Sequence, residues 1–303
     1  MFLLPTPHGD KLEALAQNKK LPVQDVFRVE QILLEYKEWR KQLEDIHGTT
    51  PEIVTRMISL LNAYRWKVDV DLIFDSENDF LYRQKGQIKL DNSVIEEFLP
   101  LLIKTVFAEQ LQNYDLSLGP TTCFSGIRFE SAIMSDKPGG GMQFKEKNHD
   151  FAISRKLFIR SSHQADFRES VTDETYIAYA VAECKTNLDK TMFQESAATA
   201  LDVKTVVPGA RYYLLCEWLD MIPLSTRTTA IDEIIILRKA KRLASNIRSQ
   251  FNTFEGRRRN REIFTNYLKD NPFQVETFSR FITHIKNFIE INTEIDVLDR
   301  GYF

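Results

Sequence analysis

Tyr176-Ile177-Ala178-Tyr179-Ala180-Val181-Ala182-Glu183-Cys184-Lys185 is an apolar run that stops abruptly in Glu-x-Lys. Strand side chains alternate, so Tyr179, Val181, Glu183 and Lys185 share one face. The other face carries Ala178, Ala180, Ala182 and Cys184, small enough for a helix to pack closely against it. A helix is expected directly downstream, from about Lys190 to Val206, with Ser196, Ala197, Ala198 and Ala200 as its own small-residue surface. Pro208-Gly209 stops it, and Thr191 with Gln194 is expected to cap its start. Further strands are expected over Cys123 to Phe129, over 150–160, from Tyr212 to Trp218 and from Glu233 to Leu237.

Away from this centre the periodicity turns helical. Val23, Val26, Val29, Ile32, Leu33 and Tyr36 recur at three- and four-residue steps, one stripe of a helix from Pro22 to about Ile46. Thr50-Pro51-Glu52 reads as a cap with proline at the first helical position, opening a helix to about Tyr64. Alternating Val68, Val70, Leu72 and Phe74 suggest a short hairpin within 68–91. Asn92 or Ser93 is the expected cap of a helix holding Glu96, Glu97 and the run from Phe98 to Leu111. Helices are also expected from Arg238 to about Phe254 and from about Asn260 to Ile291. The fold class is therefore α/β, a short mixed central sheet flanked by helices, with N- and C-terminal helical additions. The expected segments are 1–118, helical and a candidate recognition or dimerisation region, 119–240, the chemical core, and 241–303, helical with a basic block.

Glu and Lys at the mouth of a central strand suit phosphodiester cleavage, which needs an activated water and relief of charge at the transition state. Carboxylates supply both by holding Mg²⁺, and a lysine beside the ion can orient or deprotonate the water or contact the phosphate. A neighbouring metal charge would favour a lowered lysine pKa. The second carboxylate is expected from Asp150, which opens the strand-like Asp150-Phe151-Ala152-Ile153-Ser154. Glu35-Tyr36-Lys37 and Asp202-Val203-Lys204 match the same short pattern, but both fall in expected helices, where residues two apart do not share a face. His149 adjoins the site and is placed to help position Asp150. Glu109 either supports a metal from its helix or is simply solvated.

The formal net charge of −3 does not announce a polyanion binder, and its distribution says more. Residues 238–269 hold 10 Lys+Arg against 2 Asp+Glu. Within them Arg257, Arg258, Arg259 and Arg261 are either DNA contacts or a solvated helix face. Lys137-Pro138-Gly139-Gly140-Gly141 lacks the ending of a phosphate-binding P-loop and is either a loop that orders against DNA or a connector. Cys123, Cys184 and Cys216 lie in apolar runs at spacings that fit neither zinc nor a disulfide framework. The start has neither the apolar length nor the basic lead of a secretory signal, and no run approaches the roughly 18 apolar residues of a membrane span. A soluble, cytoplasmic protein is expected.

In chain order, Asp150, then Glu183-Cys184-Lys185, then helix 190–206, then strand 212–218 resembles the PD-(D/E)xK nuclease superfamily over about 120–240. His149 stands where proline is often found. The distance from Asp150 to Glu183 implies an insertion near Ser161 to Asp173, a polar turn between strands. Two stretches, Glu183-Cys184-Lys185-Thr186-Asn187-Leu188-Asp189-Lys190-Thr191-Met192 and Tyr212-Tyr213-Leu214-Leu215-Cys216-Glu217-Trp218-Leu219-Asp220, are similar to type II restriction endonucleases of the BbvCI and Bpu type. The resemblance implies Asp150 and Glu183 as metal ligands, the Cys184 backbone carbonyl as a third, and Lys185 as the catalytic lysine. It implies Mg²⁺, which Mn²⁺ can replace, and cleavage of double-stranded DNA at a specific sequence. It also implies a second nuclease subunit, a heterodimer being favoured over a homodimer. The alternatives are a repair or recombination nuclease of this fold with little sequence preference, and a catalytically silent DNA-binding module.

Overall fold

The computed structural model describes residues 4–112, 114–290, 298 and 301. Helix α1 (Pro7–Ala16) opens with proline in its first turn. Helix α2 (Val23–Glu44) buries Val29, Ile32 and Tyr36 of the expected stripe and continues it with Trp39 and Leu43, while Val23 and Val26 at its start are exposed. Helix α3 (Thr50–Trp66) is capped one residue earlier than expected, by Thr49 and Glu52 in a capping box.

In place of the expected hairpin, α3 runs on into a π-helical segment, Lys67–Phe74. The Asp75 N–H donates to the Val70 carbonyl, five residues back, at 2.9 Å. Val68, Val70, Leu72, Ile73 and Phe74 are all buried. Helix α2 lies along this segment, and Phe251 and Phe264 cover Phe74. Burial around most of a helix mimics the alternation of a strand, which is why the pattern misleads. Helix α4 (Asp79–Gln84) follows, then α5 (Asn92–Val106), capped by Asp91 rather than by Asn92 or Ser93. Every residue of α5 from Asn92 to Ile103 is buried, as in a helix with neighbours all round. Helix α6 (Ala108–Leu111) is a single turn.

The start of α1 docks on α5 through Glu97, which is fully buried. Its Oε2 accepts the His8 and Gly9 backbone N–H groups at 2.9 and 3.2 Å, satisfying amides that a helix start leaves unpaired. Gly9 is required here, since a Cβ would lie 2.5 Å from the Tyr36 hydroxyl. The His8 ring meets Ser93 Oγ at 3.0 Å and the Tyr64 hydroxyl at 2.8 Å. Burial, then the nearby Arg65 and Lys11, push its pKa down from 6.5 to about 3. The folded protein therefore holds His8 neutral while the unfolded chain takes up a proton below about 6.5. This contribution to stability is full above that pH and is lost as pH falls toward about 3. Between pH 7 and pH 5, urea unfolding is expected to lose about 2 kcal/mol through this residue. His8→Gln should be less stable at pH 7 yet show a shallower decline; an unchanged pH slope would refute the assignment.

Strands β1 (Ser117–Arg128), β2 (Gln143–Ser161) and β3 (Val171–Leu188) form an antiparallel meander. Helix α7 (Lys190–Val206) then crosses over to β4 (Arg211–Leu219), and β5 (Glu233–Lys241) follows; β4 pairs parallel with both β3 and β5. The described strands form one sheet in the order β1-β2-β3-β4-β5, the mixed sheet expected. The polar turn between β2 and β3 also falls where the sequence placed it. Strand β5 continues through Arg238 to Lys241, where a helix was expected, because the buried Arg238 side chain bonds Glu217 of the neighbouring β4. Short helices α8 (Ser245–Arg248) and α9 (Phe254–Arg259) follow. Pro272 separates α10 (Arg261–Asp270) from α11 (Val275–Glu290), dividing a region expected as one helix. Ile291, its expected end, lies outside the described residues.

One face of the sheet, with Phe151, Ala180, Ala182, Cys184, Tyr213 and Ile235, packs in a core that is continuous from Leu12 of α1 to Ile285 of α11. Ala180, Ala182 and Cys184 of the expected small-residue face thus lie on the side of α5, whereas Ala178, beyond an irregularity in the β2–β3 register, packs on the other side. The other face, with Val181, Tyr212, Leu214 and Cys216, packs against Phe193, Ala200 and Val203 of α7. Among the described residues no helix is long and apolar enough to cross a membrane.

Candidate active site

Strands β2 and β3 part company at the Glu-x-Lys. Their pairing ends at Phe151 opposite Ala182. Beyond it, residues 143–149 of β2 pair only with β1, and residues 183–188 of β3 pair only with β4. Asp150 stands in the crotch of this fork, inside a strand longer than the sequence suggested rather than at its start. Its Oδ2 accepts the Cys184 N–H at 3.0 Å, taking the place of the lost strand pairing. The Cys184 carbonyl, on the same open side, accepts from Asn92 Nδ2 of α5 at 3.0 Å.

Glu183 and Lys185 lie on the face toward α7, as alternation requires. Lys185 Nζ is 3.1 Å from Glu183 Oε2, which also accepts from Ser196 Oγ of α7 at 3.3 Å. The Tyr212 hydroxyl is buried beside Glu183 and Ser196 without closing a hydrogen bond to either. Burial opposes the Glu183 carboxylate, but the Lys185 ammonium beside it outweighs it and holds its pKa below the usual value. Burial likewise opposes the Lys185 ammonium, and Glu183 and Asp150 outweigh it, raising its pKa. Set by these carboxylates, the lysine is a firm cation. His149 is buried with no partner for Nδ1, and burial lowers its pKa against the pull of Glu183 and Asp150.

The structure therefore brings Asp150, Glu183, Lys185 and the Cys184 backbone together. It also adds residues that the sequence did not single out. Asn92 donates to Glu96 Oε1 at 2.9 Å as well as to the Cys184 carbonyl. Lys89 Nζ lies 3.6 Å from Asp150 Oδ1 and 3.7 Å from Glu96 Oε1. The available signal was Glu96-Glu97 inside an apolar helical run, since buried acids need partners. Glu96 of α5 is thus joined to the fork through Asn92 and Lys89, whereas Glu109 is exposed on α6.

Other expectations resolve differently. Arg257 is buried, donating to the backbone carbonyls of Phe74, Ser76, Asn78 and Phe251 and pairing with Asp79. A guanidinium consumed inside the protein is not offered to DNA, which corrects the expectation for this residue. Arg261 is exposed but forked onto Asp75 at 2.8 and 2.7 Å, while Arg258 and Arg259 are exposed at the end of α9. The basic block instead sends Arg242 and Arg248 into a cleft of about 560 Å³ beside Thr186, shared with Arg83 and Lys85. Asp189, not Thr191 with Gln194, caps α7, accepting the Met192 N–H at 2.9 Å. Gly139, Gly140 and Gly141 all adopt left-handed φ values of 61, 68 and 63°, which favour glycine. The Gly139 N–H donates to the Glu169 carbonyl at 2.9 Å, so this connector is tied to the β2–β3 turn.

Among the described residues there is no cluster of three or more His, Cys, Asp or Glu side chains arranged for a metal. The donor set of the fork is two carboxylates and a backbone carbonyl. These are hard oxygens, few enough to suit an ion that keeps several waters, as Mg²⁺ does. The fork therefore fits the implied ion.

No curated protein matches the sequence. Among solved structures, a chain described as the native BbvCI A2B2 tetramer at low resolution shares the fold. It has a TM-score of 0.54 and 18% identity, covering 82% of this chain and 88% of that one. A family model described as Bpu10I restriction endonuclease matches residues 87–303, from the turn before α5 through the fork and beyond. The chain belongs to the Bpu10I restriction endonuclease family and is a type II restriction endonuclease, a hydrolase that cuts DNA.

Proposed function

We propose that this chain is one nuclease subunit of a restriction enzyme built from two different subunits, that it cuts one strand of a specific duplex sequence with Mg²⁺, and that it acts in the cytoplasm. The observation that carries the reading is the convergence of Asp150, Glu183 and Lys185 where β2 and β3 fork. Asp150, Glu183 and the Cys184 carbonyl would hold the ion. When bound, Mg²⁺ supplies charge relief at the phosphate and a more acidic water. Ser196 orients the Glu183 carboxylate from α7. Lys185, cationic beside both carboxylates, donates to a phosphate oxygen that enters the fork. Exposed Arg258 and Arg259 are placed to contact phosphates further along the duplex, whereas Arg242 and Arg248 in the neighbouring cleft are held by Asp220 and would have to exchange that partner to do so. The three buried, unpaired cysteines are compatible with a reducing compartment.

The two-subunit reading is supported by the solved relative, described as A2B2. One site addresses one phosphate at a time, so a double-strand break needs two sites. The test mixes this chain carrying Glu183→Ala with its native partner on supercoiled plasmid and Mg²⁺. Nicked circles, cut always on the same strand, are expected. Double-strand breaks at a palindrome by the purified wild-type chain alone would replace the heterodimer with a homodimer.

A further inference from the structure

Lys89 occupies an unusual position. It precedes buried Leu90 just ahead of the start of α5, and its carbonyl accepts the Ser93 N–H at 3.1 Å. Its φ of 49° is a left-handed conformation that a lysine rarely adopts. Such conformations persist where the surroundings hold them, and they gather at functional sites. The backbone is thus fixed, and a half-exposed ammonium is delivered to the open side of Asp150, 3.6 Å from Oδ1.

The surrounding acids do not depend on it. Glu96 already has Lys11 at 3.2 Å and Asn92 at 2.9 Å. Asp150 Oδ2 is engaged by the Cys184 N–H, which leaves Oδ1 to Lys89. At 3.6 and 3.7 Å, Lys89 lies beyond good hydrogen-bond length from either acid, so the pairing is coulombic and easily exchanged.

We propose that Lys89 is a displaceable counter-cation, holding the open oxygen of Asp150 in the metal-free protein and yielding it when a divalent ion binds. This rests on the metal reading of the fork. Binding of the ion then carries the work of moving Lys89 aside, and the protein alone takes up metal weakly. A ligand that draws the ammonium away strengthens metal binding, by linkage.

The experiment titrates Mn²⁺ into the DNA-free protein by calorimetry. Lys89→Gly suits the left-handed backbone and removes the charge. It is expected to tighten the Mn²⁺ Kd on the order of ten-fold, since a cation facing the ion is lost. Lys89→Arg should keep the wild-type value, and Asp150→Asn should remove the binding event. Unchanged or weaker affinity in Lys89→Gly, with Asp150→Asn silent, overturns the Lys89 proposal and leaves the metal reading standing. Tightening by Lys89→Arg as large as that by Lys89→Gly also overturns it, because charge would not be the cause. Wild-type Mn²⁺ binding in Asp150→Asn places the ion elsewhere and sinks both.

Discussion

Glu183→Gln is expected to lower the rate of DNA cleavage at least about a thousand-fold while leaving the fold intact. Glutamine keeps the shape of the side chain and can still accept from Ser196, so the contact with α7 survives. What disappears is the negative charge that pairs with Lys185 and that would hold the ion. Charge stabilisation by a bound metal is worth several kcal/mol at a phosphoryl transition state, and about 4 kcal/mol corresponds to that factor. Asp150→Asn should behave alike, because its amide oxygen can still accept the Cys184 N–H and preserve the fork. DNA binding should remain measurable in both, since most phosphate contacts lie outside the cluster. Single-turnover cleavage in Mg²⁺, beside circular dichroism and a gel-shift titration, separates these effects. Cleavage by Glu183→Gln within ten-fold of wild type would remove Glu183 from the catalytic set.

Glu217→Ala is expected to cost about 3–5 kcal/mol of folding stability. Glu217 is 1% exposed at the heart of a charged network. It pairs with Arg65 from α3, whose Nη2 lies 3.2 Å from Oε2, and with Arg238 from β5, whose Nε lies 3.2 Å away. Arg65 also pairs with Asp69 at 3.0 Å and donates to the Asp91 carbonyl at 3.0 Å. Arg238 donates to the Asn271 carbonyl at 2.9 Å and lies 3.7 Å from the centre of the Phe273 ring. Two guanidinium groups thus face two carboxylates, and alanine leaves one buried positive charge without its counterpart. Breaking a buried pair on one side is costly for this reason, whatever the net worth of the intact pair. Urea unfolding at neutral pH measures the loss, and Glu217→Gln, which retains hydrogen-bond acceptance, should fall between. A loss under 1 kcal/mol would mean that water reaches the two arginines and replaces the carboxylate.

The candidate site at the fork was legible because its signals are local. An apolar strand ending in Glu-x-Lys, an Ala/Ser-rich helix after it and an aspartate beside an apolar strand run before it can each be read within a few residues, although that aspartate falls inside β2 and not at its start. The π-helical segment was not, because Val68, Val70, Leu72 and Phe74 are buried by partners distant in sequence rather than by a sheet. The same limit hid the second half of the site. Asn92 meets Cys184 across 92 positions, and no periodicity in either segment encodes that meeting. Arg257 failed for a related reason. A run of arginines reads as surface until Phe74, Ser76 and Asn78 are seen to turn their carbonyls toward one of them. Arg238 read as the start of a helix because its buried partner, Glu217, lies on another strand.

The fork has a spectroscopic side. The Cys184 amide proton is bound to the Asp150 carboxylate and not to the backbone of β2. Its chemical shift and its exchange with solvent therefore follow a side chain, whereas the neighbouring amides of β3 follow the sheet. In an isotope-labelled sample that single resonance would register the ionic state of the fork without any substrate being turned over.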